Sequence, residues 1–264
     1  MHILKENLSI STMLFWRFLV SSVFMLIIFM FQLKTIRASM REMGKVLVFE
    51  AGFYSACSIT YFMASTYLGT GLSMVIFFSY PAVVIFLNRI LYRIPIQKMS
   101  YFAIGLIFLG IVLLVDLDEA AFDLMGILFG VATALLYAGY ILASKKSQVS
   151  PISSALLLSI GCTVMCGLAA LWDNSFAIPE SGTAWINILG IGILCTALPI
   201  LFLLAGLKRI SSEKAAILSV LEPVVVVVVG ILFLHEYITT LQVFGILTIL
   251  SGAVITLFSP SVTK

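Results

Sequence analysis

The chain has 264 residues, of which 62% are hydrophobic and only 10% charged, with a formal net charge of +3 and a mean hydropathy of +1.19. Soluble domains run at roughly 45–50% apolar and about 25% charged, so this composition excludes a soluble enzyme, a nucleic-acid binder, a disulfide scaffold and a disordered chain. The small net charge names no partner by itself; the placement of the 15 Lys and Arg residues does more.

A bilayer core of ~30 Å takes about 20 apolar residues per helix. In chain order, the runs that meet this are 12–31, 46–67, 71–92, 98–116, 122–143, 151–172, 184–207, 212–233 and 238–258, which predicts nine transmembrane helices in an all-α polytopic membrane protein. The runs are continuously apolar rather than alternating, which argues against a β-barrel. Short polar connections such as Gly69-Thr70-Gly71, Ser150-Pro151 and Pro179-Glu180-Ser181-Gly182 join them. The first run is too long for a signal peptide and has basic residues on its far side.

Orientation follows from the basic residues. Alternate loops hold 13 of the 15: Lys34, Arg37, Arg41 and Lys45; Arg89, Arg93 and Lys98; Lys145 and Lys146; Lys208, Arg209 and Lys214; and Lys264. The other loops are acidic, with Asp116, Asp118, Glu119 and Asp123, then Asp173 and Glu180, then Glu236. The expectation is a cell (inner) membrane protein with its N-terminus outside and its C-terminus in the cytoplasm. Tyr237 and Trp185 fall at predicted interfaces and read as belt anchors.

The chain repeats itself. Sliding it by 142 residues sets Tyr67–Asp116 against Arg209–Phe258, pairing Pro81 with Pro223, Phe102 with Phe244 and Gly110 with Gly252 among 9 identities in 50 positions. The expected domains are therefore a first repeat over 1–118, with four helices, and a second over 119–264, with five. The same arithmetic places a further helix of the first unit at about −20 to −1, upstream of Met1. An odd number of helices per unit inverts the second relative to the first. Inverted repeats mark secondary transporters, whose sites lie near the midplane.

Polar groups inside spans are costly and need a reason. The second span puts Glu50, Tyr54, Cys57, Ser58, Tyr61 and Ser65 on one face. The third carries Ser73, Phe77, Tyr80 and Asn88; the fifth Thr133, Tyr137, Tyr140 and Ser144; the eighth Ser212, Ser219 and Glu222. Such stripes either line a substrate path or glue helices together. The candidate substrate-binding set is Tyr54, Ser58, Tyr61, Tyr80, Asn88, Tyr137, Tyr140, Ser219 and Glu222, with Pro81 and Pro223 as hinges. Glu222 lies ~15 Å into its span, where it could bind an amine, carry a coupling proton, or bond backbone freed by Pro223. Glu50, near the cytoplasmic mouth, reads either as a solvated residue or as a functional one, and Arg17 either as a side chain that snorkels outward or as a ligand. Gly126-xxx-Gly130 permits close helix contact, within the chain or in a homodimer. Cys57, Cys162, Cys166 and Cys195 lie in apolar runs with no nearby ligand partners, so no metal site, no cofactor and no catalytic residue are expected.

The segments Ser219-Val-Leu-Glu-Pro-Val-Val, Leu234-His-Glu-Tyr-Ile-Thr-Thr-Leu-Gln-Val-Phe-Gly and Ser251-Gly-Ala-Val resemble the closing helix pair of EamA-type carriers in the drug/metabolite transporter superfamily, and Phe15-Trp16-Arg17-Phe18 resembles the Arg-Phe of that family's second helix. The resemblance covers nearly the whole chain. It implies ten helices in two inverted five-helix units, both ends cytoplasmic, and transport of small metabolites, often amino acids. Two departures stand out: the family's first helix is absent, and His235 occupies a position usually held by Gly. The reading is a secondary transporter, an exporter by expectation, working by alternating access around a central cavity. Its partners would be a small-molecule metabolite and the lipid bilayer, with no nucleic acid. The alternative is a non-transporting membrane subunit or a truncated carrier that needs a partner.

Overall fold

The computed structural model describes residues 8–31, 39–93, 98–114, 123–225, 227–228 and 239–258. The loop residues Lys34, Arg37, Asp116, Asp118 and Glu119, the motif residues His235 and Glu236, the anchor Tyr237 and residues 226 and 229–233 of run 212–233 lie outside the described residues. The described residues are helical, with no strand among them.

The helices are α1 (Ile10–Phe31), α2 (Met40–Phe77), α3 (Tyr80–Tyr92), α4 (Lys98–Leu114), α5 (Leu124–Lys146), α6 (Pro151–Trp172), α7 (Gly182–Leu207), α8 (Ser212–Ser219) and α9 (Thr240–Phe258). Five of them, α1, α2, α5, α6 and α7, are long and apolar enough to cross a membrane, and α3, α4 and α9 contain shorter apolar helices. Caps set several starts. Ser150 accepts from the Ser153 N–H with Pro151 in the first turn, Ser181 accepts from Ala184 N–H, and Ser211 from Lys214 N–H.

Two expected spans are assembled differently from their hydropathy. Runs 46–67 and 71–92 meet in α2, which reverses at Gly69 (φ 78°, ψ 164°). That backbone suits glycine, which has no Cβ to clash. The second run is then broken at Phe78-Ser79, where the Ser79 N–H bonds to Ile76 O at 3.1 Å, and a new helix starts at Tyr80. The eighth run breaks in the same way: Leu221 N–H bonds to Leu218 O at 3.1 Å, and helix resumes at Glu222. Under the 142-residue register Ser79 becomes Leu221, Tyr80 becomes Glu222, and each break is followed by its proline, Pro81 or Pro223. A proline cannot donate to the carbonyl four residues back but is well placed in the first turn of a helix. The break and the proline therefore go together.

The chain divides into two compact units, 1–59 with 142–209, and 60–141 with 210–264. Each draws on both halves of the sequence. In the first, α1 packs antiparallel on α6: Ser21 and Ser159 hydroxyls are 3.0 Å apart, Ser22 and Thr163 hydroxyls 3.1 Å, and Gly167 lets the Phe15 ring approach. Leu14, Phe18, Met25, Leu158, Cys162 and Cys166 are buried in this layer. Gly161 admits the turn carrying Ala51 and Leu47, where α2 passes through a π-helical stretch, Val46–Glu50.

In the second unit, α4 and α9 cross at small residues. A Cβ on Gly110 would stand 2.7 Å from Gly245 O and from Ile249, and a Cβ on Gly252 would stand 2.7 Å from Ile107 and 2.9 Å from Ala103 O. In the 142-residue register Ala103, Ile107 and Gly110 correspond to Gly245, Ile249 and Gly252. The two sets of contacts are one contact with its partners exchanged, the pattern of a self-complementary two-fold interface. Gly126 and Gly130 of α5 are likewise occupied within the chain, by Leu68 and Ile76 of α2.

Candidate functional site

The second unit gathers most of the candidate aromatic residues. Phe77, at the end of α2, is the hub: its ring lies 5.5 Å from Tyr61, 5.1 Å from Tyr80 and 5.2 Å from Tyr137. Tyr80 and Tyr137 meet edge-to-face at 4.7 Å, and Tyr137 reaches Tyr140 at 5.7 Å. Phe77 and Tyr80, three residues apart, stand on either side of the Phe78-Ser79 break. The Tyr80 hydroxyl donates to Ala216 O at 3.2 Å, so α3 is tied to α8 one turn before Ser219. Tyr80 and Tyr140 are fully buried, whereas Tyr61 and Tyr137 are half-buried.

Asn88 sits at a contact between helices. It is buried, and its amide donates to Ser212 Oγ at 3.1 Å and Glu213 Oε1 at 3.5 Å, which locks α3 onto the start of α8. Ser58 and Ser219 donate to carbonyls of their own helices, Tyr54 O and Ala215 O, both at 2.9 Å; this is the usual refuge of a hydroxyl in an apolar span. Thr133 joins α5 to α2 through the Thr60 hydroxyl at 2.8 Å. Glu222 is exposed on the first turn after the break, and Pro81 and Pro223 are buried.

The first unit holds Tyr54, whose ring meets Phe18 edge-on at 5.9 Å. It also corrects the reading of two charged residues. Glu50 is not solvated: it is 2% exposed, and its carboxylate accepts from Ser144 Oγ at 2.7 Å and Ser154 Oγ at 3.4 Å. The sequence signal was an acidic residue inside a span, but the hydroxyls that receive it lie 94 and 104 residues away. Above it the helix ends are cross-capped. Lys145 donates to Leu207 O at 2.7 Å, and Lys208 donates to Ser147 O, each ammonium meeting carbonyls left open at a helix C-terminus. Burial pushes the Lys208 ammonium below its ordinary range, and the Glu50 carboxylate opposes that shift.

Arg17 does not snorkel outward. Its Nε donates to Thr196 Oγ1 at 2.6 Å, and its guanidinium lies 5.5 Å from the Phe18 ring. Thr196 sits in a π-helical turn of α7, Ile193–Ala197, and bonds back to Ile191 O. At the α1 end, Trp16 donates to Ala177 O at 2.9 Å and meets Trp185 edge-on at 5.0 Å, while Trp185 donates to Pro179 O. Asp173 accepts from Ser11 and Ser175, and these bonds hold its carboxyl below the usual carboxylate range.

Among the described residues no group of three or more His, Cys, Asp or Glu side chains could hold a metal ion, and none of the four cysteines is in a disulfide. What the site offers is an aromatic cluster and isolated charged groups inside apolar helices.

The comparisons agree with a transport role. The model of the EamA-like transporter family matches residues 1–116 and 124–258. An uncharacterized transporter from Synechocystis is 26% identical over 204 residues, covering 70% of this chain and 58% of that protein. An uncharacterized transporter of Archaeoglobus fulgidus is 28% identical over 62% of this chain and 57% of its own length. Protein PecM of Dickeya dadantii is 28% identical over 66% of this chain and 60% of its own length. The chain thus spans under two thirds of the length of these relatives. A solved crystal structure superposes with a TM-score of 0.78 at 14% identity, over 93% of this chain and 87% of that one, which places the fold. With both halves matched and the helical architecture shared, this chain belongs to the EamA-like transporter family.

Proposed function

We propose that the protein is a secondary carrier of small metabolites that works by alternating access, with the two sequence halves as inverted repeats. The observation that carries the reading is the pair of matched helix breaks, Phe78-Ser79 before Pro81 and Val220-Leu221 before Pro223, at the same register of the repeat. Helices interrupted at corresponding positions of two halves are where transporters bind and hinge. The exchanged contacts between α4 and α9 support the inversion, because antiparallel mates with a two-fold contact are what an inverted repeat produces.

In this reading Tyr80 and Glu222 are equivalent residues on the two resumed helices. Tyr61, Tyr137 and Tyr140 extend the aromatic wall, and Tyr54, Ser58, Asn88 and Ser219 stay as candidate substrate contacts, each within its own unit. Export of metabolites such as amino acids across the cell membrane, with the basic loops inside, fits the chain best. The test compares metabolites inside and outside cells with and without the protein. A class of small metabolites that accumulates outside only when the protein is present supports the carrier; identical profiles reject it.

A further inference from the structure

Arg17 stands in an apolar helix, and among the described residues no carboxylate pairs with it. Two features fix where its head group goes. Trp16 meets Trp185, and the Arg17 carbonyl and Val20 press on Gly192, where an added Cβ would lie 3.0 Å from Arg17 O. These contacts set α1 and α7 side by side, running in the same direction. The hydrogen-bond acceptor for Arg17, Thr196, is four residues past Gly192 and so roughly 6 Å deeper. Thr196 lies 14 residues after Gly182 and 11 before Leu207, near the middle of its span. The guanidinium is therefore aimed at mid-span and away from the Ile10 end of α1.

A guanidinium has five N–H donors. Nε uses one on Thr196. Among the described residues, no hydrogen bond or ion pair reaches the two terminal nitrogens, and the groups in electrostatic reach are the Phe18 ring and the thiols of Cys57, Cys162 and Cys166. A cation placed in an apolar span without a partner is costly. Here it is anchored through Nε in a π-helical turn, which leaves the forked face free. That fork matches the two oxygens of a carboxylate.

We propose that Arg17 is a receptor for the carboxylate of the carried solute, held in position by Thr196. The assignment rests on the carrier reading and narrows its substrate to carboxylate-bearing metabolites. A single guanidinium balances a single negative charge, whereas a phosphate monoester carries about −1.5 to −2. A lipid phosphate offers similar oxygens but sits at the membrane surface, the direction from which the side chain turns away.

The experiment uses the full chain in maltoside micelles at fixed ionic strength, with thermal unfolding read by tryptophan fluorescence. The probes are butyrate, its carboxylate-free counterparts butanol and butylammonium, and phosphatidylglycerol. The expected result is a saturable rise in melting temperature with butyrate alone, absent in Arg17→Gln. Arg17→Lys keeps the charge but loses one charge-assisted bond, so about tenfold more butyrate is needed. Thr196→Val, which removes the anchor and leaves the charge, also weakens the response, and it serves should Arg17→Gln fail to fold. An equal response to butanol, no response to butyrate, or an unchanged response in the Arg17 and Thr196 variants overturns the proposal. So does an Arg17-dependent response to phosphatidylglycerol alone, which would assign the fork to a headgroup. Butyrate binding without metabolite flux in cells would reject the carrier and leave the site. Flux of neutral or cationic solutes with no butyrate response would reject the site and leave the carrier.

Discussion

Replacing glycines of the α4–α9 crossing by alanine tests whether repeat-equivalent helices pack as the geometry requires. The Cβ of Gly110→Ala would lie 2.7 Å from Gly245 O, that of Gly245→Ala 2.8 Å from Gly110 O, and that of Gly252→Ala 2.9 Å from Ala103 O. Ordinary contact begins at 3.4 Å, so each methyl must push backbone against backbone apart by roughly half an ångström. Overpacking of this kind costs about 1–3 kcal/mol. Gly105 and Gly190 have nothing within 4 Å of a Cβ, and alanine there should be neutral or stabilising by about 0.5–1 kcal/mol through helix propensity. Because the contacts at Gly110 and Gly252 belong to one helix pair, the double variant should cost less than the sum of the two. Unfolding in bicelles by a titrated denaturant, followed by tryptophan fluorescence, gives these values. Equal effects at Gly110, Gly252 and Gly105, or strict additivity of the pair, would refute the packing argument.

Three further outcomes are expected. Glu50→Ala strands the buried hydroxyls of Ser144 and Ser154 and should cost about 1–3 kcal/mol in the same denaturation assay, with Glu50→Gln costing less because its amide oxygen still accepts. Glu222→Gln keeps shape and hydrogen bonding but cannot ionise; if Glu222 carries the coupling proton, flux loses its pH dependence while membrane abundance is unchanged, and unaltered flux and pH dependence remove it from the mechanism. Asp173 has its carboxyl pK lowered by Ser175 and Ser11, so its contribution is full above the ordinary carboxylate range near pH ~4 and fades as pH falls through the depressed folded value. Tryptophan emission, through Trp16 and its bond to Ala177 O, should shift on acidification below that range in the native protein and show a smaller change in Asp173→Asn.

The sequence made the helices legible because hydropathy and punctuation act locally. Pro151–Trp172 begins at its capping serine and proline, and the turn expected at Gly69 is there, in a conformation that only glycine takes readily. The paired prolines also pointed to the breaks, although a hydropathy window runs straight through Phe78-Ser79 and Val220-Leu221 because both halves of each run are equally apolar. The misread residues are those whose partners come from far along the chain. Glu50 needs Ser144 and Ser154, and Arg17 needs Thr196 at a separation of 179 residues. Periodicity tells which residues share a face but not what that face meets, so an acidic or basic residue near a span end is legible only as a charge close to water.

Alternating access is tested most directly by asking from which side the residues next to the second break can be reached. In a chain with Cys57, Cys162, Cys166 and Cys195 replaced, Ser219→Cys is exposed to a membrane-impermeant maleimide in right-side-out and inside-out vesicles. A carrier predicts labelling from both sides, with the two rates moving in opposite directions when metabolites exported by the cell are added. Labelling from one side only, at a rate that added metabolites do not change, would contradict it.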